Sequence, residues 1–453
     1  MFERLQKARR DAKERNHLAD LISGCRELLT VRGEANSVAI ASRALESYRA
    51  LSPESAREFF SVLASEFDPD PAEVLQLAQD YAASRSPENL IALSRATEPP
   101  RQELLRRLNR APHGTATIVA MRAQLLARLR ADKRLRAVDA DFEHLLGSWF
   151  NPGFLRLERV DWASPASLLE KIIQHEAVHE IDGWNDLRRR LEPDRRCFAF
   201  FHPALADEPL IFVEVALLAE IPGAIAPLLD RNEAAERDQR KFKVAAFYSI
   251  SNCQPGLRGV NLGNFLIKQV AEQLQLEFPS LKAFCTLSPV PSFAHWLARV
   301  QEITSAHLKP ARLRALNALL AGLRARYGED LSGLRVVLAR TLLQVADGAG
   351  EGGEAVAREI GDDAEALRRL CAFYLVHGGH EDNDPSDPVA RFHLNNGARL
   401  ERVHALADLS RKGVRQSFST MVNYLYDLDS VEANHERFVN GEVTTSRAVN
   451  GLL

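Results

Sequence analysis

The stretch of sequence from 243 to 287 constrains the fold more than any other segment. Two short segments in it, KVAAFYSI at 243–250 and LKAFCTL at 281–287, are rich in apolar and aromatic residues, as buried strands are. Between them, residues 263–276 follow a glycine-containing loop and carry apolar side chains at helical spacing. The order of strand, loop, helix and strand predicts a βαβ-like unit in this half of the chain.

The first 150 residues predict helices and little else. Three helix starts show an N-capping residue followed by proline at the first helical position, at Ser52, Asp70 and Ser86. Asp70 is also followed by Glu73 in the manner of a capping box, and then by apolar residues at helical spacing. No grouping of catalytic residue types falls here. We therefore interpret 1–150 as a helical interaction or oligomerisation domain.

The character of the sequence changes at the turn-rich joint WFNPG, at 149–153. Strand-like segments then appear for the first time, and 197–201 and 210–217 flank the turn ADEP as a hairpin would. Helical patterning returns over 310–370. The expected fold class is α+β, with the helical domain followed by an α/β catalytic domain with helical insertions over 151–453.

Composition excludes several classes of protein. A length of 453 residues predicts two or three domains, and a formal charge of −3 gives no global reason to expect nucleic acid or a membrane surface as partner. The five cysteines lack CxxC spacing, which argues against a zinc ribbon or a disulfide framework and fits a reducing compartment. No apolar run reaches membrane-spanning length, so we expect a cytoplasmic protein. An anionic ligand must then be held by a local site.

The loop QPGLRGVNLG, at 254–263, is a candidate for such a site because it follows a predicted strand and opens a predicted helix. Backbone amides at a helix N-terminus bind phosphate without net positive charge, and glycines let the phosphate approach. The spacing from Arg258 to Gly263 resembles the acyl-CoA signature of the GNAT superfamily of N-acetyltransferases, with Asn261 where a glycine is usual. A plain glycine turn is the alternative. The candidate coenzyme-binding residues are Arg258, Gly259, Val260, Asn261, Leu262, Gly263 and Asn264.

Two polar residues lie where catalytic groups are often found. Ser288 stands at the end of the second strand of the βαβ-like unit, and ligands in open α/β sheets sit beyond the carboxyl ends of strands. The prolines of LSPVPSF fix the backbone around its hydroxyl, although a turn or capping serine is the alternative. His393 lies in RFHLNNGA, where it could fill a core or face a cleft and move a proton near neutral pH.

The sequence HEAVH at 175–179 matches HExxH, in which two histidines one helical turn apart bind zinc. We expect the helix that carries the motif to end at Asp182-Gly183, and the longer metzincin pattern fails because Asp182 occupies its glycine position. A third ligand would have to be a glutamate of the predicted hairpin, such as Glu208 or Glu214. We therefore keep a zinc hydrolase only as an alternative and interpret His175 and His179 as surface or packing residues.

Two runs of arginine, at 188–190 and 195–196, could meet the phosphates of a coenzyme. A solvated helix face is the alternative interpretation and the one we prefer.

Several blocks between 140 and 430, in one order, resemble the malonyl-CoA decarboxylase family. The blocks are SPASLLEKIIQHEAVHEIDGWNDLRRRL, RRCFAFFHP, EPLIFVEVAL, FYSIS, GVNLGNFLIKQV, TLSPVPSF, RFHLNNGA and MVNYLY. The resemblance implies an acetyltransferase-like (GNAT-like) catalytic domain behind a helical domain, no metal or other cofactor, and a homo-oligomer, dimer or tetramer, formed through the helical domain. It places the catalytic serine at Ser288 and the catalytic histidine at His393. A glutamate of some relatives falls on Asn261, and Tyr424 would line the pocket.

The implied reaction converts malonyl-CoA to acetyl-CoA and CO2 through a thioester enolate, as in fatty acid metabolism. The enzyme must hold the carboxylate out of the thioester plane, stabilise the developing charge and deliver a proton to carbon. A hydroxyl and an imidazole suffice, and the sequence leaves open which of them delivers the proton. The alternatives are an acyl-CoA N-acyltransferase of the same fold and a helical scaffold with a degenerate coenzyme domain.

Overall fold

The computed structural model describes residues 2–31, 35–231, 235–260, 262, 266–346, 360–378 and 387–453. The chain divides into two compact units. Unit 1 contains Met1–Arg156 together with Phe200–Leu210 and Asn252–Gly263. Unit 2 contains Leu157–Ala199, Ile211–Ser251 and Asn264–Leu453. Unit 1 therefore includes two segments from the later part of the sequence.

The helices of unit 1 follow the sequence patterns closely. Their bounds are α1 Phe2–Leu28, α2 Ser37–Arg49, α3 Pro53–Ser65, α4 Pro71–Ala83, α5 Pro87–Thr97, α6 Pro100–Leu108, α7 Gly114–Leu126 and α8 Leu135–Trp149. The three predicted starts are confirmed, because Ser52, Asp70 and Ser86 each accept a backbone N–H of the following turn. Proline is tolerated right after each cap because the first helical N–H has no partner within the helix.

Two of these helices contribute nothing to the core of unit 1. Helices α4 and α5 contact each other and have no buried residue. Yet they expose large apolar side chains, with Leu75 at 61%, Leu90 at 46% and Ile91 at 51% exposure. We call this pair, Pro71–Ala83 and Pro87–Thr97, the α4–α5 hairpin.

Among the described residues eight strands form one mixed sheet. Their bounds are β1 Arg156–Val160, β2 Arg195–Phe201, β3 Pro209–Leu218, β4 Val244–Asn252, β5 Ala283–Thr286, β6 Ser288–Pro289, β7 Arg399–His404 and β8 Met421–Tyr426. The order across the sheet is β1-β2-β3-β4-β5-β8-β6, and β7 pairs with β8. Strands β4 and β5 are parallel, whereas β8 is antiparallel to β5, β6 and β7.

The helices of unit 2 come between and after these strands in the sequence. Their bounds are α9 Ala166–His175, α10 Gly183–Arg190, α11 Ala226–Leu229, α12 Leu266–Glu277, α13 Phe293–Arg299, α14 Pro310–Tyr327, α15 Ser332–Ala346, α16 Asp362–His377, α17 Pro388–Asn395, α18 Arg411–Ser417, α19 Val431–Val439 and α20 Arg447–Leu452. Short 3-10 turns occur at Pro152–Phe154, Gln239–Lys241 and Pro255–Leu257. None of the helices in the described ranges is long and apolar enough to cross a membrane.

The predicted fold class, a helical front region followed by a mixed α/β part with helical insertions, is confirmed. The βαβ-like unit is also confirmed, since β4 and β5 pair in parallel from Val244↔Ala283 to Phe247↔Thr286, with α12 between them in sequence. The predicted hairpin partners β2 and β3 are neighbours in the sheet. Strands β1, β6, β7 and β8 were not predicted.

Candidate active site

Ser288 stands where the two parallel strands separate. The pairing of β4 with β5 ends at Phe247↔Thr286, and β4 then continues to Asn252. The other strand turns away, because Ser288 pairs with Val422 of β8. In open α/β sheets, ligands bind beyond the carboxyl ends of strands, and Ser288 stands at such an end.

Ser288 and His393 meet in the structure, although 105 positions separate them in sequence. The distance between Ser288 Oγ and His393 Nε2 is 3.0 Å, and Ser288 Oγ lies 2.8 Å from Thr286 Oγ1. The other ring nitrogen, Nδ1 of His393, lies 2.8 Å from the hydroxyl of Tyr426. Four side chains therefore form one hydrogen-bonded row, Thr286–Ser288–His393–Tyr426, which we call the site row.

The ring of His393 is also held by stacking. Its centroid lies 4.6 Å from that of Tyr424, with an angle of 26° between the planes. Tyr424 in turn donates its backbone N–H to Thr286 Oγ1, at 3.2 Å. Helix α17 supplies His393, while strand β8 supplies both tyrosines, which alternate two residues apart and lie against the same ring.

Burial sets the electrostatics of the site row. His393 is 3% exposed, and this burial lowers its pKa to about 3, so the imidazole is neutral at physiological pH. Burial likewise raises the pKa of the Tyr424 and Tyr426 phenols. A neutral imidazole has one N–H and one lone pair, so it donates to one hydroxyl and accepts from the other. The arrangement can therefore present a hydroxyl donor to a bound substrate without a resident charge.

The coenzyme loop is only partly within the described residues. The amides of Leu257, Arg258 and Val260 donate to carbonyls of their own turn, so a phosphate would have to use other amides. Arg258 and Gly259 are exposed, and Val260 and Leu262 are buried. Predicted coenzyme contacts also fall at Asn261, Gly263 and Asn264, which lie outside the described residues.

The backbone of this loop is anchored within unit 1. Arg122 Nη1 donates to the carbonyls of Gly256, at 3.0 Å, and Arg258, at 2.8 Å. Gly256 packs so closely that a Cβ there would lie 1.9 Å from the Val119 carbonyl oxygen. Glycine is required at 256 by this close approach rather than by a ligand.

The HEAVH segment does not form the zinc motif. Helix α9 ends at His175, so His175 and His179 are not one turn apart on a helix as HExxH chemistry requires. The Glu176 carboxylate accepts the hydroxyls of Ser249, at 2.7 and 2.8 Å, and Ser251, at 3.2 Å. The described part of the chain contains no group of three or more His, Cys, Asp or Glu side chains that could hold a metal ion. His179 is a buried side chain of the interior. The expected helix up to Asp182 was wrong, because the helix ends at His175.

Four of the five arginines in the two runs are buried, so the runs form neither a coenzyme-binding patch nor a solvated face. The fifth, Arg188, is exposed, and its guanidinium lies 4.8 Å from the ring of Trp162. Arg189 pairs with Asp194, at 2.8 Å, and Arg195 with the same carboxylate, also at 2.8 Å. The remaining buried pairs of these runs are Arg190 with Asp186 and Glu214, and Arg196 with Glu277. The preferred interpretation was wrong because each of these four buried arginines has a carboxylate partner to satisfy it.

Sequence reasoning missed two members of the site row, Thr286 and Tyr426. A signal was present, because Thr286 lies two residues before Ser288, on the same side of an extended chain. Tyr426 has the same relation to Tyr424 in MVNYLY. The alternation indicates a shared face once the segments are recognised as strands.

Family models and curated relatives that match this chain are named for the same enzyme. The family models described as "Malonyl-CoA decarboxylase C-terminal domain" and "Malonyl-CoA decarboxylase N-terminal domain" match residues 153–453 and 67–150. The chain is 34% identical over 409 residues to "Malonyl-CoA decarboxylase, mitochondrial" of Anser anser anser, covering 86% of this chain and 78% of that protein.

Solved structures give the same result. The crystal structure of malonyl-CoA decarboxylase from Rhodopseudomonas palustris has a TM-score of 0.79 at 45% identity, covering 96% of this chain and 99% of that chain. The corresponding structure from Agrobacterium vitis has a TM-score of 0.79 at 46% identity, with the same two coverages, 96% and 99%.

Proposed function

The chain belongs to the malonyl-CoA decarboxylase family and is a carboxy-lyase, and we propose that it converts malonyl-CoA to acetyl-CoA and CO2 at the site row. The observation that carries this proposal is the 3.0 Å contact between Ser288 Oγ and His393 Nε2 at the divergence of β4 and β5. Both side chains are buried, so a hydrogen bond to the substrate would form away from competing water.

In the proposed reaction the bond between the malonyl carboxylate carbon and C2 breaks, and CO2 leaves. The electron pair delocalises onto the thioester oxygen as an enolate, and C2 then takes up a proton. Ser288 hydrogen-bonds the malonyl group, while His393 stabilises the enolate or supplies the proton. The hydroxyl of Tyr426 holds the orientation of the imidazole through Nδ1, as an orienting partner of a catalytic base does.

The experiment is incubation of the purified protein with malonyl-CoA alone, followed by mass spectrometry for acetyl-CoA. Acetyl-CoA formed without any amine acceptor distinguishes decarboxylation from N-acyl transfer. Ser288→Ala and His393→Ala should each lower kcat by about 100-fold or more, the usual range for a lost donor or proton carrier. The matched control Ser65→Ala, on the surface of α3, should keep the wild-type rate. Undiminished turnover in Ser288→Ala or His393→Ala would remove that residue from the mechanism.

The coenzyme is assigned to the loop at 254–263, which precedes α12. This assignment is supported by the order of strand, loop and helix and by the exposed guanidinium of Arg258. Tyr424 is assigned separately, to the wall of the acyl pocket. The contribution of Asn261 is limited to neutral hydrogen bonding, since it has no carboxylate.

Arg258→Ala tests this assignment. The substitution should weaken CoA binding in a calorimetric titration, and more strongly at low salt, because an exposed charge is screened by ions. The matched control is Arg240→Ala, an exposed arginine that pairs with Asp238. Equal affinities in both variants would place the pyrophosphate elsewhere.

The further assignments concern assembly and location. The exposed leucines of the α4–α5 hairpin support a homo-oligomer, dimer or tetramer, that forms through the helical domain at 1–150, in front of a catalytic domain at 151–453. None of the five cysteines, all of them buried and described, forms a disulfide, which supports a reducing compartment such as the cytoplasm. We also propose that the reaction belongs to fatty acid metabolism and needs no metal or other cofactor, since the thioester carbonyl itself delocalises the charge that CO2 leaves behind.

A further inference from the structure

Helix α17, which supplies His393, begins with the sequence Asp387-Pro388. One carboxylate oxygen of Asp387, Oδ1, accepts the backbone N–H of Val389, at 3.0 Å, and of Ala390, at 3.1 Å. These bonds satisfy two of the amides that a helix start leaves without partners. So far this is an ordinary N-cap, and a serine or an asparagine could supply it.

The second carboxylate oxygen does something that a cap does not require. Oδ2 of Asp387 accepts the backbone N–H of Ser292, at 3.0 Å. Ser292 lies four residues after Ser288, in the loop that leads from β6 to α13. One side chain thus bonds both the start of the His393 helix and the segment that follows the catalytic serine.

The cost of this arrangement argues that both bonds matter. Asp387 is 1% exposed, and burial of a carboxylate is unfavourable unless it is hydrogen-bonded. That burial raises the pKa of Asp387 above its ordinary value, in opposition to the three backbone N–H bonds that favour the ionised form. A serine has one side-chain oxygen, and an asparagine has one acceptor oxygen beside an N–H2 donor. Among short side chains, a carboxylate offers two acceptor oxygens and no donor, which suits three N–H groups on two segments.

We propose that Asp387 is a positioning residue that holds Ser288 and His393 at hydrogen-bonding distance by bonding both of their segments at once. The inference rests on the proposed function for its effect on turnover, but the positioning itself is a property of the folded protein. Loss of the bond to Ser292 would let the serine segment and the histidine helix shift relative to each other. A displacement of about 1 Å between reacting groups costs up to about 100-fold in rate.

The test is Asp387→Asn, with Asp387→Ser as a second variant should the first fold poorly. Both replacements retain an oxygen that can cap α17. Asparagine would turn its N–H2 group toward the Ser292 N–H, and serine is too short to reach it. The matched control is Asp70→Asn, because Asp70-Pro71 caps α4 in the same way but accepts only the Ala72 N–H, at 2.9 Å, at an exposed position.

We expect both Asp387 variants to lose about 10- to 100-fold in kcat, with KM for malonyl-CoA within about twofold of wild type. Asp70→Asn should match wild type in both. A rise in KM at constant kcat, or wild-type kinetics in a folded Asp387 variant, would overturn the assignment.

A second readout is independent of turnover. In protein labelled with 15N in the histidine rings, the His393 signals are identified by their loss in His393→Gln. The Asp387 variants should shift the His393 Nε2 signal away from its wild-type position, because the contact with Ser288 Oγ is lengthened. An unshifted ring in a folded variant would overturn the positioning role, whatever its activity. If instead the wild-type protein formed no acetyl-CoA from malonyl-CoA while the ring shifted as expected in the Asp387 variants, the proposed function would fail and the positioning role would stand.

Discussion

The imidazole of His393 is held from three directions: by Ser288 at Nε2, by Tyr426 at Nδ1 and by the face of Tyr424. Tyr426→Phe removes the Nδ1 bond and keeps the ring that fills the core. We expect kcat to fall by up to about tenfold, which corresponds to the net value of one hydrogen bond, while CoA affinity stays constant. Steady-state kinetics with malonyl-CoA and a CoA titration measure the two quantities. Unchanged kcat would show that stacking alone orients the ring.

Burial of histidines also predicts how stability depends on pH. The pKa values of His179 and His393 are both lowered to about 3 by burial, against an ordinary value near 6.5. Between these values the unfolded chain binds protons that the folded chain does not, so the free energy of unfolding falls as pH falls below 6.5. Each group contributes about 1.4 kcal/mol per pH unit in this window.

His393→Gln should therefore make the stability of the protein less sensitive to acid. Denaturant titrations at pH 7 and pH 5 should show a smaller difference in the free energy of unfolding than wild type shows. His295→Gln, at an exposed position, is the control and should retain the wild-type difference. An equal difference in His393→Gln would mean that His393 already takes up its proton in the folded state.

At this level the sequence predicted the two chemical groups but not their partners. Ser288 and His393 were identified from family blocks and from their places at the end of a strand and before a turn. Thr286 lies two residues before Ser288 and had a local signal, whereas the place of Tyr426 depends on how β5 and β8 pair, with Phe284 opposite Tyr426. Pairing of distant strands has no local signature, so the contact of Tyr426 with His393 could not be predicted from its segment alone.

Helices and their starts were the most predictable elements, because capping residues and proline act over a few positions. The end of α9 was mispredicted for the opposite reason. The chain leaves the helix at His175 so that Glu176 can accept hydroxyls from Ser249 and Ser251 of β4, far away in sequence. Strand β8 was missed because its place between β5 and β6 is set by long-range pairing rather than by its own pattern.

We predict that copies of the chain contact each other through the α4–α5 hairpin. Leu75 and Ile91 are exposed on helices that bury no residue, and two such hairpins from two copies could form a four-helix packing. The double variant Leu75→Glu, Ile91→Glu should lower the molar mass measured by light scattering toward that of one chain. Leu276→Glu is the control, since Leu276 is 79% exposed on α12 of unit 2. A wild-type mass in the double variant would assign the contact to another surface.

For the whole molecule, the formal charge of −3 does not show which basic side chains face the solvent. The runs at 188–190 and 195–196 look strongly basic in sequence, yet four of their five arginines are paired in the interior. The net charge argues against a nucleic-acid-binding surface. It does not tell whether a run of arginines is exposed to solvent or buried in the interior. Asp186 and Asp194 are close to their arginines in the sequence, but Glu214 and Glu277 reach Arg190 and Arg196 only when the sheet has folded.

The last prediction is that turnover does not depend on a metal ion. The two histidines of HEAVH do not share a helix face, and Glu176 is committed to two serine hydroxyls rather than poised as a general base. Decarboxylation of a malonyl thioester also needs no Lewis acid, because the thioester carbonyl delocalises the charge that CO2 leaves behind. Turnover should therefore be unchanged after exhaustive dialysis against a strong chelator, and a folded His179→Gln variant should retain the wild-type rate constant. Activity that is lost on dialysis and restored by zinc, but not by magnesium, would instead support the hydrolase-type site.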